Sequence, residues 1–128
     1  MGKQALAALG LCLVLGACGS ADREPIRSTR AAFLAQANRV CRETTTRRER
    51  VAGLRALRPP RDADELYARW LRAEQDALAA ATSLTGHSRK STLDPEVAFA
   101  IAEGKIIGYA RRLGAYACAK SAMGTIRP

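Results

Sequence analysis

Only six of the 128 residues are aromatic, and His87 is the only histidine. A lone histidine in the polar stretch from Gly86 to Asp94 is far more often solvated than catalytic or metal-binding. The chain has no G-x-x-x-x-G-K-[ST], no G-x-S-x-G, no H-E-x-x-H and no C-x-x-C-H, so the common phosphate-binding, nucleophile-elbow, zinc and haem motifs are excluded. There is no internal repeat and no N-x-[ST] sequon. No apolar run reaches the roughly 20 residues that a membrane-spanning helix needs. Acidic residues are also scarce, 12 against 21 Lys and Arg, and the chain is formally +9.

The run Ala5 to Ala17 carries no charge, is mostly Leu and Ala and follows close on Lys3. A basic start, a short apolar run and small residues at its end make a signal peptide. The closing residues Leu15, Gly16, Ala17 and Cys18 resemble the lipobox of bacterial lipoproteins, Leu-(small or Val)-(Ala/Gly/Ser)-Cys, at every position. The resemblance covers the leader alone. It implies signal-peptidase recognition at Leu15, Gly16 and Ala17, and a lipid on Cys18. Cys12 does not fit, because Leu11 before it is too large. Met1-Gly2 is no myristoylation signal, since Leu6 stands where Ser or Thr is required. The competing reading is an ordinary secretory signal or a short anchor, with Cys18 incidental. The expected organisation is therefore a lipoprotein signal peptide over 1–17, a lipidated tether over 18–27, a helical domain over 28–121 and a frayed tail over 122–128. The tether would reach roughly 30 Å at full extension. The expected address is extracytoplasmic, on the cell envelope, with the membrane as first partner.

Export changes the reading of the other cysteines. With Cys12 removed and Cys18 lipidated, Cys41 and Cys118 remain as an even pair in an oxidising compartment. A bridge between them would stabilise the fold by roughly 4–5 kcal/mol on a chain-entropy account. Two free buried thiols are the alternative. No metal and no cofactor is expected, because one histidine and a paired cysteine couple leave too few ligands.

The periodicity is helical throughout. A first helix starts at Ser28 or Thr29 and places Phe33, Ala37, Val40, Thr44, Val51 and Leu54 on one face. Thr44-Thr45-Thr46 is its weak point, and Pro59-Pro60 ends it. A second helix starts at Asp62, with Glu65 completing an approximate capping box, and stops at Gly86. Its apolar stripe contains Glu74, which calls for an Arg partner from a neighbour or a place at the stripe's edge. A third helix starts at Asp94-Pro95-Glu96 and runs to about Lys120. One of its faces is bulky (Phe99, Ile106, Tyr109, Leu113) and the other small (Ala100, Gly104, Ile107, Gly108). Two apolar faces predict the most buried helix, its small face lying near Val40 and Thr44 of the first. The fold class expected is all-α, a small bundle of three main helices with one intramolecular disulfide. The placing of Phe33 to Cys41, the Pro-punctuated helices and Leu113-Gly114 before Cys118 resemble small exported helical two-cysteine proteins of actinobacteria. That resemblance implies an architecture and no activity.

The densest charge lies between Arg39 and Arg61. Arg39, Arg42, Arg47, Arg48, Arg50, Arg55, Arg58 and Arg61 face only Glu43 and Glu49 in sequence. These eight form a candidate basic surface for an anionic lipid, a wall polymer or a protein partner, or else a plain solvated face. Nucleic acid is not expected of an exported chain. The expected function is a non-enzymatic binding module of the envelope. The alternative is a small envelope hydrolase or sugar-active enzyme using a carboxylate such as Glu74. Glu65, Glu74, Asp76, Glu96 and Glu103 are available, and no spacing among them marks a catalytic pair.

Overall fold

Three consecutive threonines end one helix and begin the next. In the computed structural model, which describes residues 28–86 and 92–124, Thr44 leaves the helical region with ψ 131 and its hydroxyl donates to the Val40 carbonyl at 2.7 Å. Thr46 accepts from the Glu49 amide, and the Glu49 carboxylate returns to the Thr46 amide, which makes a full capping box. The expected first helix is thus two, α1 (Arg30–Glu43) and α2 (Arg47–Arg55). Thr29 caps α1 by accepting from the Ala32 amide. Gly53 allows the two to approach closely: a Cβ there would sit 2.8 Å from Val40 Cγ1.

α3 (Asp64–Thr85) follows a single 3₁₀ turn, Arg61–Ala63. Asp62 does not cap it. Its carboxylate pairs with Arg30 at 3.0 Å, and the helix starts without a side-chain cap. α4 (Pro95–Leu113) starts as expected, with Asp94 accepting from the Glu96 amide at 2.8 Å and Pro95 in the first turn. It does not continue to Lys120. Gly114 adopts φ +93 and stops it, and the chain turns into α5 (Tyr116–Gly124). α5 runs past Ser121, because Ala122 is part of the core. Among the described residues the architecture is all-α with five helices.

α3 and α4 share the broadest interface, α5 folds back on α4, and α1 packs on α5. α5 therefore takes the place beside α1 expected for the small face of α4. Ala100, Gly104 and Gly108 are exposed, and no heavy atom lies within 4 Å of a Cβ built at either glycine. Val97 and Ile101 stand out on the same side of α4. The bulky side behaves as expected: Ile106 and Leu113 are buried in the cluster that holds Trp70. Phe33, Tyr67 and Trp70 stack edge to face through the centre, at centroid distances of 5.1 and 5.8 Å. Alanine fills much of the rest, so the helices pack close.

Cys41 and Cys118 are joined, with Cα atoms 5.0 Å apart. Both helix breaks serve this bond. The bend at the threonines leaves Cys41 near the end of α1. The turn at Gly114 brings Cys118 back to it in the first turns of α5, where Asn38 Oδ1 of α1 also accepts from the Ala117 amide at 3.0 Å.

Candidate functional site

The eight arginines divide. Arg39, Arg42, Arg48, Arg55, Arg58 and Arg61 are exposed. Arg47 and Arg50 do not belong to a basic surface: Arg50 is 6% exposed, and the Arg47 side chain is 10% exposed. The reason is helical spacing. Arg47 lies four and seven residues before Val51 and Leu54, and Arg50 four before Leu54, so both share the buried stripe of α2.

They meet two buried carboxylates. Arg47 Nη1 donates to Glu74 Oε2 of α3 at 2.8 Å, and Nη2 donates to Glu103 Oε1 of α4. The same guanidinium lies 5.5 Å over the Phe99 ring. Arg50 Nη2 donates to Ser121 Oγ of α5 at 2.6 Å. The cluster thus joins α2, α3, α4 and α5. Its satisfaction is incomplete, since Glu74 Oε1, Glu103 Oε2, Arg50 Nε and Arg50 Nη1 have no hydrogen-bond partner. Trp70 Nε1 makes no hydrogen bond of ordinary geometry, yet its N–H lies close enough to Glu74 to favour the charged form.

Burial dominates the electrostatics here. It pushes the Glu74 carboxyl up from its usual range, against the pull of Arg47 and Arg50. Glu103 moves up for the same reason, with Glu74 adding repulsion. Desolvation brings the Arg50 guanidinium down. A buried Arg between two carboxylates at this spacing holds helices in register. It could act on a substrate only if one reached it, and the Glu74 and Glu103 side chains are 0% and 2% exposed.

The exposed arginines border a different feature. Arg48, Val51, Ala52 and Arg55 of α2 and Gln75, Leu78 and Ala79 of α3 line a groove of about 360 Å³. With its amide turned so that the oxygen faces α2, Gln75 Oε1 accepts from Arg55 Nε at 3.3 Å and Nη2 at 3.1 Å. Arg39, Arg42, Arg48 and Arg58 have no carboxylate partner among the described residues. Glu74 and Glu103 do not line this groove.

Leu15, Gly16, Ala17, Cys18 and His87 lie outside the described residues. Among those described, no group of three potential metal ligands forms, and no helix is long and apolar enough to cross a membrane. The sequence singled out Glu74, with an Arg partner as one of two expected outcomes, but did not single out Glu103 or turn Arg47 and Arg50 inward. The signal for Glu103 was its position, four residues after Phe99 and three before Ile106, inside the bulky stripe of α4. Comparison with protein-family models, curated proteins and solved structures finds no match to this chain.

Proposed function

We propose that this chain is a lipid-anchored envelope protein whose helical domain binds an anionic envelope component and carries out no chemistry of its own. The observation that supports this reading most is the outward set Arg39, Arg42, Arg48 and Arg58, exposed and without carboxylate partners among the described residues. Unneutralised guanidiniums attract phosphate and carboxylate groups and form forked hydrogen bonds with them. The leader supplies the address: Leu15-Gly16-Ala17-Cys18 would place the domain on a membrane, within reach of anionic lipid and wall polymer. The carboxylate-hydrolase alternative asks Glu74 to meet a substrate, whereas its side chain is enclosed and committed to Arg47.

Two measurements test the reading. Intact mass of the membrane fraction is expected to show a chain beginning at acylated Cys18, lost in Cys18→Ala. An unmodified Cys18 in that fraction would remove the anchor. The Cys18→Ala chain, which carries no lipid, is expected to be retained on washed envelope at low salt and released as salt rises, with Arg39→Gln, Arg42→Gln and Arg58→Gln together weakening retention. Salt-independent retention, unchanged by those substitutions, would remove the anionic partner.

A further inference from the structure

The α2–α3 groove has one chemistry on its rim and another on its floor. Arg48 and Arg55 stand two helical turns apart on α2, about 10.5 Å along the axis, and the Gln75 amide faces them from α3. Val51, Ala52, Leu78 and Ala79 make an aliphatic floor. Among the described residues no carboxylate lines the groove and Arg48 has no ion-pair partner. The occupant that fits must therefore carry negative charge and an aliphatic part together.

A hydrophilic polyanion would neutralise the arginines and leave the floor wet. A neutral amphiphile would cover the floor and leave two cations unpaired. An acidic helix offers both chemistries but needs an open channel between α2 and α3. The Arg55–Gln75 hydrogen bonds tie those two walls together across the groove. A single headgroup with the first carbons of its chains needs no such channel, and a phosphate suits the guanidinium fork.

We infer that the groove between α2 and α3 binds one anionic phospholipid, its phosphate held by Arg48 and Arg55 and its upper acyl carbons lying on Val51, Ala52, Leu78 and Ala79. The inference rests on the anionic-partner reading above and adds to it one defined ligand at one place. The domain would then hold a membrane lipid at a defined site, in addition to any anchor at Cys18.

The test uses the full chain in maltoside micelles, with dihexanoyl phosphatidylglycerol as probe and native mass spectrometry or calorimetry as readout. One molecule is expected to bind per chain. Dihexanoylglycerol, which lacks the phosphate, and the deacylated headgroup glycerophosphoglycerol are expected to bind at least about tenfold more weakly, having lost either the charge-assisted hydrogen bonds or the floor. Arg48→Gln with Arg55→Gln, and separately Ala52→Glu, are expected to weaken phosphatidylglycerol by a similar factor. All three positions are exposed, and unchanged melting of these variants confirms their fold. The pair Arg112→Gln on α4 with Lys120→Gln on α5, both exposed and outside the groove, is the control and should leave binding unchanged. Equal binding of dihexanoylglycerol, or equally tight binding of the free headgroup, overturns the lipid site. A control pair as damaging as the groove pair also overturns it, while leaving the broader anionic reading intact. Envelope retention that survives with no phosphatidylglycerol binding separates the two in the same way.

Discussion

Arg47 serves two carboxylates from different helices, and its loss would strand both. Breaking a buried ion pair from one side leaves an uncompensated charge, which costs about 3–5 kcal/mol. Arg47→Ala is expected to fall in that range by urea denaturation. Replacing Arg47, Arg50, Glu74 and Glu103 together by Met and Leu is expected to cost little or to stabilise, since desolvation of all four charges disappears with them. A quadruple variant as unstable as the single one would show that the polar cluster itself holds the helices. pH provides a second reading. Glu74 and Glu103 titrate above their usual value of 4.5 in the folded chain, because burial favours the neutral acid. The native state then holds more protons than the unfolded one. That contribution to stability is fully present below pH 4.5 and is lost as pH rises through the raised folded values. Thermal midpoints should therefore fall as pH climbs out of the acid range, and Glu103→Gln should flatten the fall. Glu49 acts in the opposite sense. The backbone and side-chain groups of Thr45 and Thr46 hold its carboxyl low, and its contribution is lost as pH falls.

At the scale of the element, breaks decide more than periodicity does. The helical pattern of α1 and α2 reads as one stripe, because Phe33 and Leu54 face the same core, and the threonines were legible as a weak point. Gly114 was less legible. Its neighbours Leu113 and Ala115 are both buried, so the apolar pattern continues across the break and hides it. Only φ +93 reveals the stop. Asp62 was read as a cap because a local rule favours it, and the long-range pair with Arg30 took it instead. The glycines provide the test. Gly104 and Gly108 were expected to admit a neighbouring backbone, and each instead faces open space on α4. Alanine at either is expected to stabilise by about 0.5–1 kcal/mol through helix propensity. Gly114→Ala is expected to destabilise by roughly 1 kcal/mol, since an L side chain resists that backbone. Thermal melts of the three single variants check both signs. A loss at Gly104 or Gly108 would show that a second surface covers α4.

For the whole molecule, the cysteine count was enough to name the bond, given the expectation that an exported, lipidated chain would lose or modify the other two. What the count could not supply was the path. Three long helices would put Cys41 in mid-helix and Cys118 at a helix end, and only the two breaks bring them together. The buried charge cluster was hidden for a related reason: its four residues come from three stretches, and sequence spacing carries no sign of their meeting. Cys118→Ala is expected to cost about 2–5 kcal/mol, the range for removing a native disulfide from a small domain. Denaturation of oxidised and reduced chain is the check. A midpoint unmoved by reduction would mean that helix packing alone fixes the fold.

The disulfide also decides how the domain bears load. α2, α3 and α4 lie wholly between Cys41 and Cys118, which are 77 positions apart in sequence. Tension applied between the start of α1 and the end of α5 passes along α1, across the sulfur bridge and out through α5. The three helices in between hang from that path as a slack loop. In a pulling experiment the oxidised chain should yield only the short extension of its outer segments. Reduction should release a further length of roughly 260 Å, at about 3.4 Å per residue. A domain pulled from these two ends would then keep its α2–α3 groove assembled under strains that stretch α1 and α5.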